Sequence, residues 1–142
     1  MLGTRFLLTH ESDTHSAYRG ALSRATITDT VYSTAFDGGW PDAPHRALRN
    51  GTVSAWEQAG CPPSGDRPGE GEVIAQRRNR EITRYSDDMP TTDTEGEVEQ
   101  LAMYAGQSVG LTSSVEHAGV LVRRIAAEAD AILATLAGEA PS

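Results

Sequence analysis

The chain has 142 residues, of which 38% are hydrophobic and 6% aromatic, and its formal net charge is −8. That length fits one domain, and the acidic balance makes a poor partner for a phosphate backbone, which needs clustered cations. All 12 cations are arginine, which excludes a Schiff-base lysine and a GK[ST] phosphate loop, and the lone Cys61 excludes an internal disulfide and a cysteine-based zinc site.

Residues 2–8, LGTRFLL, read as a short apolar strand. Residues 16–25 carry Ala17, Tyr18, Ala21, Leu22 and Ala25 on one helical face, with Thr14 or Ser16 placed to cap the start. Residues 28–36, β-branched and aromatic, read as extended. Gly and Pro then dominate 37–71, with a short helix predicted over 52–60 that ends at Gly60. The 12-residue loop 60–71 is long for a compact domain and marks a functional or excursion loop.

EVIAQ and EITRY, separated by RRNR, predict a β-hairpin in which Val73 and Ala75 alternate inward, as do Ile82 and Tyr85. The acidic residues on both flanks, Glu70 and Glu72 and then 87–99, read as a solvated face. Ser113-Ser114-Val115-Glu116 has the form of a capping box. It opens a helix to about Ala137, with Gly138 as its stop. Ala118, Leu121, Val122, Ile125, Ala129, Ile132, Leu133 and Leu136 form its apolar stripe, which predicts a face packed on a core.

Catalytic signals are sparse. His10 and His15 are five apart, not the i, i+4 spacing of a helical metal pair. His45 and His117 have no local partner pattern, and Ser12, Asp13 and Ser16 near His10 lack the context of a nucleophile elbow. Glu11 and Asp13 as an acid–base pair rest on proximity alone. No metal site and no catalytic residue is assigned. Gly3-Thr4 offers two amides and a hydroxyl with no side chain at the glycine, a possible phosphate donor set.

LGTRFLLTHES at 2–12, AYRGAL at 17–22, DTVYSTAFDGG at 29–39, HRALRN at 45–50 and GEVEQLAMYAGQSVGL at 96–111 together resemble the closing part of nitronate monooxygenases, formerly called 2-nitropropane dioxygenases. The resemblance implies the C-terminal fragment of a flavin-binding (β/α)8 TIM barrel. Residues 1–36 would be its last strand and following helix, 37–95 a loop-rich insert with a hairpin, and 96–142 a helical segment. It implies FMN as cofactor, with Gly3 and Thr4 at the phosphate on the eighth-strand turn. Tyr104 and Gln107 would lie on the substrate side. The implied reaction is oxidation of alkyl nitronates by O2. The implied catalytic base matches none of the four histidines and would lie upstream of Met1.

A typical barrel needs ~250 residues, so the expectation is a chain inactive by itself that pairs with a separate N-terminal half-barrel. A fragment of a flavin-dependent enoyl-thioester reductase and a non-enzymatic remnant or interaction module are the alternatives. The expected setting is cytoplasmic, with no nucleic acid and no membrane as partner. No apolar run approaches the ~18–20 residues of a membrane span. MLGTRFLLTHES, with Arg5 inside its short apolar run, does not read as a signal peptide.

Overall fold

A computed structural model describes residues 2–111 and 114–138. The described residues form four α-helices, α1 (Gly3–Leu7), α2 (Ser16–Arg24), α3 (Gly51–Gln58) and α4 (Ala118–Gly138), and two small antiparallel sheets. One sheet pairs β1 (Thr30–Ser33) with β2 (His45–Leu48). The other has the order β4-β3-β5, from Arg80–Thr83, Val73–Arg77 and Thr94–Gly96.

The strand expected at 2–8 is instead the short helix α1. A parallel strand satisfies its backbone only with neighbours on both sides. Among the described residues no strand flanks it. Its amides bond locally instead: Arg5 N–H to Leu2 O at 3.0 Å, Leu8 N–H to Arg5 O at 3.2 Å and Thr9 N–H to Phe6 O at 3.1 Å.

Helix α2 lies where its pattern placed it, with Tyr18 and Leu22 fully buried. Its cap is neither Thr14 nor Ser16 but His15, whose Nδ1 accepts from Ala17 N–H at 3.1 Å. Thr14 is engaged elsewhere, its hydroxyl with Ser12 and its backbone in a bridge to Thr91. The extended reading of 28–36 holds for β1 only. Residues Ile27–Asp29 close a 3₁₀ turn, and Ala35 and Phe36 turn into the core. Asn50 caps α3 by accepting from Val53 N–H at 3.1 Å.

The predicted hairpin is β3–β4, turning at Arg78-Asn79. Its alternation is broken by a register shift between Val73 and Ala75, so Ile74 and Ala75 both point inward and Val73 is left exposed. An extra residue in one strand has this effect on side-chain direction. Strand β5 had no sequence signal. Its Gly96, at φ +112°, lies so close to β3 that a Cβ would come within 2.6 Å of Ile74 O.

One segment joins the buried clusters. Leu101 packs with Ile74, Ala75 and Ile82; Ala102 with Ala35, Phe36, Ala47 and Val53; Met103 and Ala105 with Leu8, Tyr18, Leu22, Leu48 and Val109. The segment pairs along β2, Leu48 N–H to Met103 O at 2.8 Å and Ala105 N–H to Arg46 O at 3.0 Å.

Helix α4 begins at Ala118, later than expected. Ser113 of the expected capping box lies outside the described residues, and Glu116 is bridged to Thr9 and holds Arg124. The Glu11 carboxylate supplies the cap from elsewhere in the chain, accepting from Ala118 N–H at 2.9 Å. Leu121 is 1% exposed, but Val122, Ile132, Leu133 and Leu136 are all more than half exposed. The stripe is real, and within the described residues it is packed only near its start, at Leu121 fully and at Ile125 in part. No helix of the described residues is long and apolar enough to cross a membrane.

The acidic flank is not simply solvated. Arg80 makes a bidentate contact to Asp88, and Arg77 approaches the same carboxylate at 3.5 Å. The bonded Arg80 guanidinium holds Asp88 below its ordinary carboxylate range, against the opposing effect of partial burial, with the Ser86 hydroxyl adding to it. A depressed carboxylate pKa contributes stability above its unfolded value, and that contribution is lost as pH falls through the folded value. Stability is therefore expected to fall below about pH 4. Asp88→Asn should flatten that acid limb in urea titrations at pH 3–6, and an unchanged limb would remove Asp88 from it.

Candidate functional site

Three of the residues singled out in the sequence meet in space. Gly3 and Thr4 from α1, His45 and Arg46 from β2, and Tyr104 and Gly106 line a cavity of about 370 Å³, closed further by Leu7 and Ala105. Gln107, three residues from Tyr104, is exposed and does not line it.

The floor is held by long-range hydrogen bonds. Thr4 is 5% exposed, and its hydroxyl accepts from Gly106 N–H at 2.9 Å across 102 residues of chain. A hydroxyl that accepts still has its own proton to donate. The first amide to bond within this helix is that of Arg5, to Leu2 O, so Gly3 and Thr4 lie in the opening turn, where amides lack intrahelical partners. A Cβ on Gly3 would meet nothing within 4 Å, so that side of the cavity is open backbone.

Tyr18, fully buried, donates its hydroxyl to Tyr104 O and fixes that residue's backbone. Tyr104 in turn donates its own hydroxyl to Asp87 O at 2.9 Å. Burial, then the nearby charges of Asp87 and Asp88, push the Tyr104 phenol up to about 12. It is therefore neutral at physiological pH, an apolar ring with a committed proton.

His45 was no stronger than the other histidines in the sequence, and β2 brings it to the cavity wall. Its Nδ1 lies 3.0 Å from Ala43 O, and a carbonyl only accepts, so Nδ1 carries the proton. Nε2 is shut off from water and without a partner among the described residues. The Tyr104 ring meets the imidazole edge-on, centroids 5.1 Å apart. Arg46 also lines the cavity, and its guanidinium donates to Thr30 Oγ1 at 3.0 Å.

The other sequence candidates lie apart from this cavity. The His10 and His117 rings meet at a tilt with centroids 4.7 Å apart, and His117 Nδ1 is 3.2 Å from Glu11 Oε1, at the exposed start of α4. Asp13 takes part in a bridge to Thr92, and Ser12 bonds Thr14. Among the described residues no three His, Cys, Asp or Glu side chains are grouped as metal ligands would be.

No curated protein matches the chain. Several solved structures share its fold, two of them forms of one enzyme. FabK from Thermotoga maritima aligns over 96% of this chain at 22% identity and a TM-score of 0.55, covering 38% of the FabK chain. A point mutant of the same FabK aligns over 96% at 22% identity and a TM-score of 0.56, covering 34% of that chain. The chain thus spans little more than a third of the solved structures it matches. The nitronate monooxygenase family profile matches residues 1–128, nine-tenths of the sequence. The chain belongs to the nitronate monooxygenase family.

Proposed function

We propose that this chain supplies one wall of an FMN-dependent enzyme that oxidises alkyl nitronates with O2. The observation that carries the reading is the meeting of Gly3, Thr4 and Tyr104 around one largely apolar cavity in a chain of this family. Because the chain spans about a third of the structures it resembles, the activity belongs to an assembly that includes the remaining βα units. The first two-thirds of that barrel would come from a partner half-barrel. A small nitronate and O2 are the substrates of the whole.

The residues present fit the phosphate end of an FMN. Gly3 leaves backbone open on the cavity side, where a Cβ would meet no neighbour. The amides of Gly3 and Thr4 and the free proton of the Thr4 hydroxyl are donors of the kind a phosphate needs. Tyr104 and Leu7 exclude water from the interior. When bound, the flavin supplies the redox chemistry. The chain's own residues bind, orient and keep the site dry. His45 Nε2 stands at the wall without a partner among the described residues, and no residue here is assigned as the catalytic base.

The test is flavin absorbance per protein after desalting. The chain by itself is expected to be colourless, because immobilising a ligand costs several kcal/mol and few contacts remain to offset it. Co-produced with the upstream βα units, it should hold FMN and consume O2 with propyl nitronate. Gly3→Val should strip the flavin and leave the melting curve in place, since the new side chain meets nothing in this chain. Equal flavin retention in Gly3→Val would remove the phosphate assignment. A bare chain carrying one FMN would refute the partial-site reading, and a yellow assembly inert toward nitronates would refute the reaction.

Thr4→Val has a different expected outcome. It leaves the buried Gly106 N–H without its acceptor, which costs about 1–3 kcal/mol of stability. The loss should appear in the unfolding midpoint of the bare chain, before any cofactor is involved.

A further inference from the structure

We propose that the cleft beside the cavity, between the Trp40–Pro44 loop and Tyr104, seats the apolar tail of the substrate, and that Trp40 sets the chain length accepted. The proposal rests on the reading above and adds to it a second compartment of the site.

The cleft holds about 190 Å³ and is lined by Phe36, Trp40, Ala43, Pro44, His45, Asp87 and Tyr104. His45 and Tyr104 also line the larger cavity, so the two spaces share a wall. Hydrocarbon and ring surface make up most of the lining, with Phe36 buried beneath. The one carboxylate, Asp87, lies against the Gly39 backbone, and its carbonyl accepts from Tyr104. A pocket of this character binds apolar groups and orients them by a few polar atoms. Here those atoms belong to the shared wall, where His45 Nε2 has no partner among the described residues.

The loop that carries Trp40 is built rather than loose. Gly38 N–H donates to Tyr85 O at 3.0 Å, and a Cβ at Gly38 would come within 2.8 Å of that carbonyl. A Cβ at Gly39 would fall 2.3 Å from the Asp87 carboxylate. Trp40 N–H closes a turn to Asp37 O at 2.9 Å, and Asp37 is itself paired with buried Arg67. The backbone is therefore clamped on its inner side, while the indole stands 71% exposed at the cleft rim. A large ring held out in water on a clamped backbone is placed to be covered by a ligand, since its apolar area becomes favourable only on burial.

The experiment titrates the purified chain with two homologous series, ethyl to heptyl nitronates and the matching 1-alkanols, read by ligand-observed NMR. Affinity is expected to rise about fourfold per methylene until the cleft is full, in both series. Trp40→Ala should flatten the rise to less than about twofold per methylene, and Trp40→Phe should keep most of it. At 71% exposure the indole contributes little to folding, so both variants should melt with the parent. No chain-length dependence in either series, or the same slope in Trp40→Ala, would overturn the proposal. A slope in both series with nitronates binding no better than alkanols would uphold the cleft and count against nitronate as the substrate.

Discussion

Replacing Arg67 with alanine is expected to lower the unfolding free energy by about 3–5 kcal/mol, the cost of breaking a buried ion pair by removing one partner. The Arg67 side chain is 3% exposed. Its guanidinium lies 2.7 Å from Asp37 Oδ1 and 3.4 Å from Glu70, donates to Ala35 O at 3.0 Å, and stands 5.0 Å from the centroid of the Tyr85 ring. Alanine would leave the half-buried Asp37 charge without its cation and the Ala35 carbonyl without its donor. The long loop 60–71 would lose its anchor, and with it the support beneath Asp37 and the Trp40 turn. Arg67→Lys should recover only part of the loss, because one ammonium cannot reproduce the planar fork that meets these partners together. Urea denaturation midpoints check both variants. A loss below about 1 kcal/mol for Arg67→Ala would place the residue with ordinary surface ion pairs.

Leu121→Ala should cost about 2–5 kcal/mol, as for a large-to-small change in a filled core, whereas Ile132→Ala should change stability by less than about 0.5 kcal/mol. Both residues belong to one apolar stripe, yet Leu121 is 1% exposed and Ile132 is 61% exposed. At Ile132 alanine also removes a β-branched residue from a helix, which favours the helix by a few tenths of a kcal/mol. Measured together in the same chain, the two variants separate a packed first turn from a C-terminal half standing in solvent. Equal losses would show that the distal face of α4 is covered in solution.

Local patterns with a single physical cause were legible from residue order. The face of α2 follows from Ala17, Tyr18, Ala21 and Leu22, and the hairpin from two short strands around Arg78-Asn79. The family was legible too, in GTRF, RALRN and AGQ. Long-range partners overrode the local signals elsewhere. His15 rather than Thr14 caps α2 because Thr14 bridges Thr91, and Glu11 rather than a capping box opens α4. The apolar run 2–8 carries a strand's composition but has no neighbouring strand to bond among the described residues, and it coils into α1.

The sequence by itself determined the family, the acidic lysine-free surface, and the existence of most helices and of the hairpin. Periodicity and composition are properties of neighbouring residues. Tertiary structure alone decided that Thr4 reaches Gly106, that Tyr18 fixes Tyr104, and that His45 joins them at one cavity. Those contacts span up to 102 residues. No short-range spacing encodes such contacts, because they exist only after the apolar segment 101–105 has gathered the buried clusters around itself.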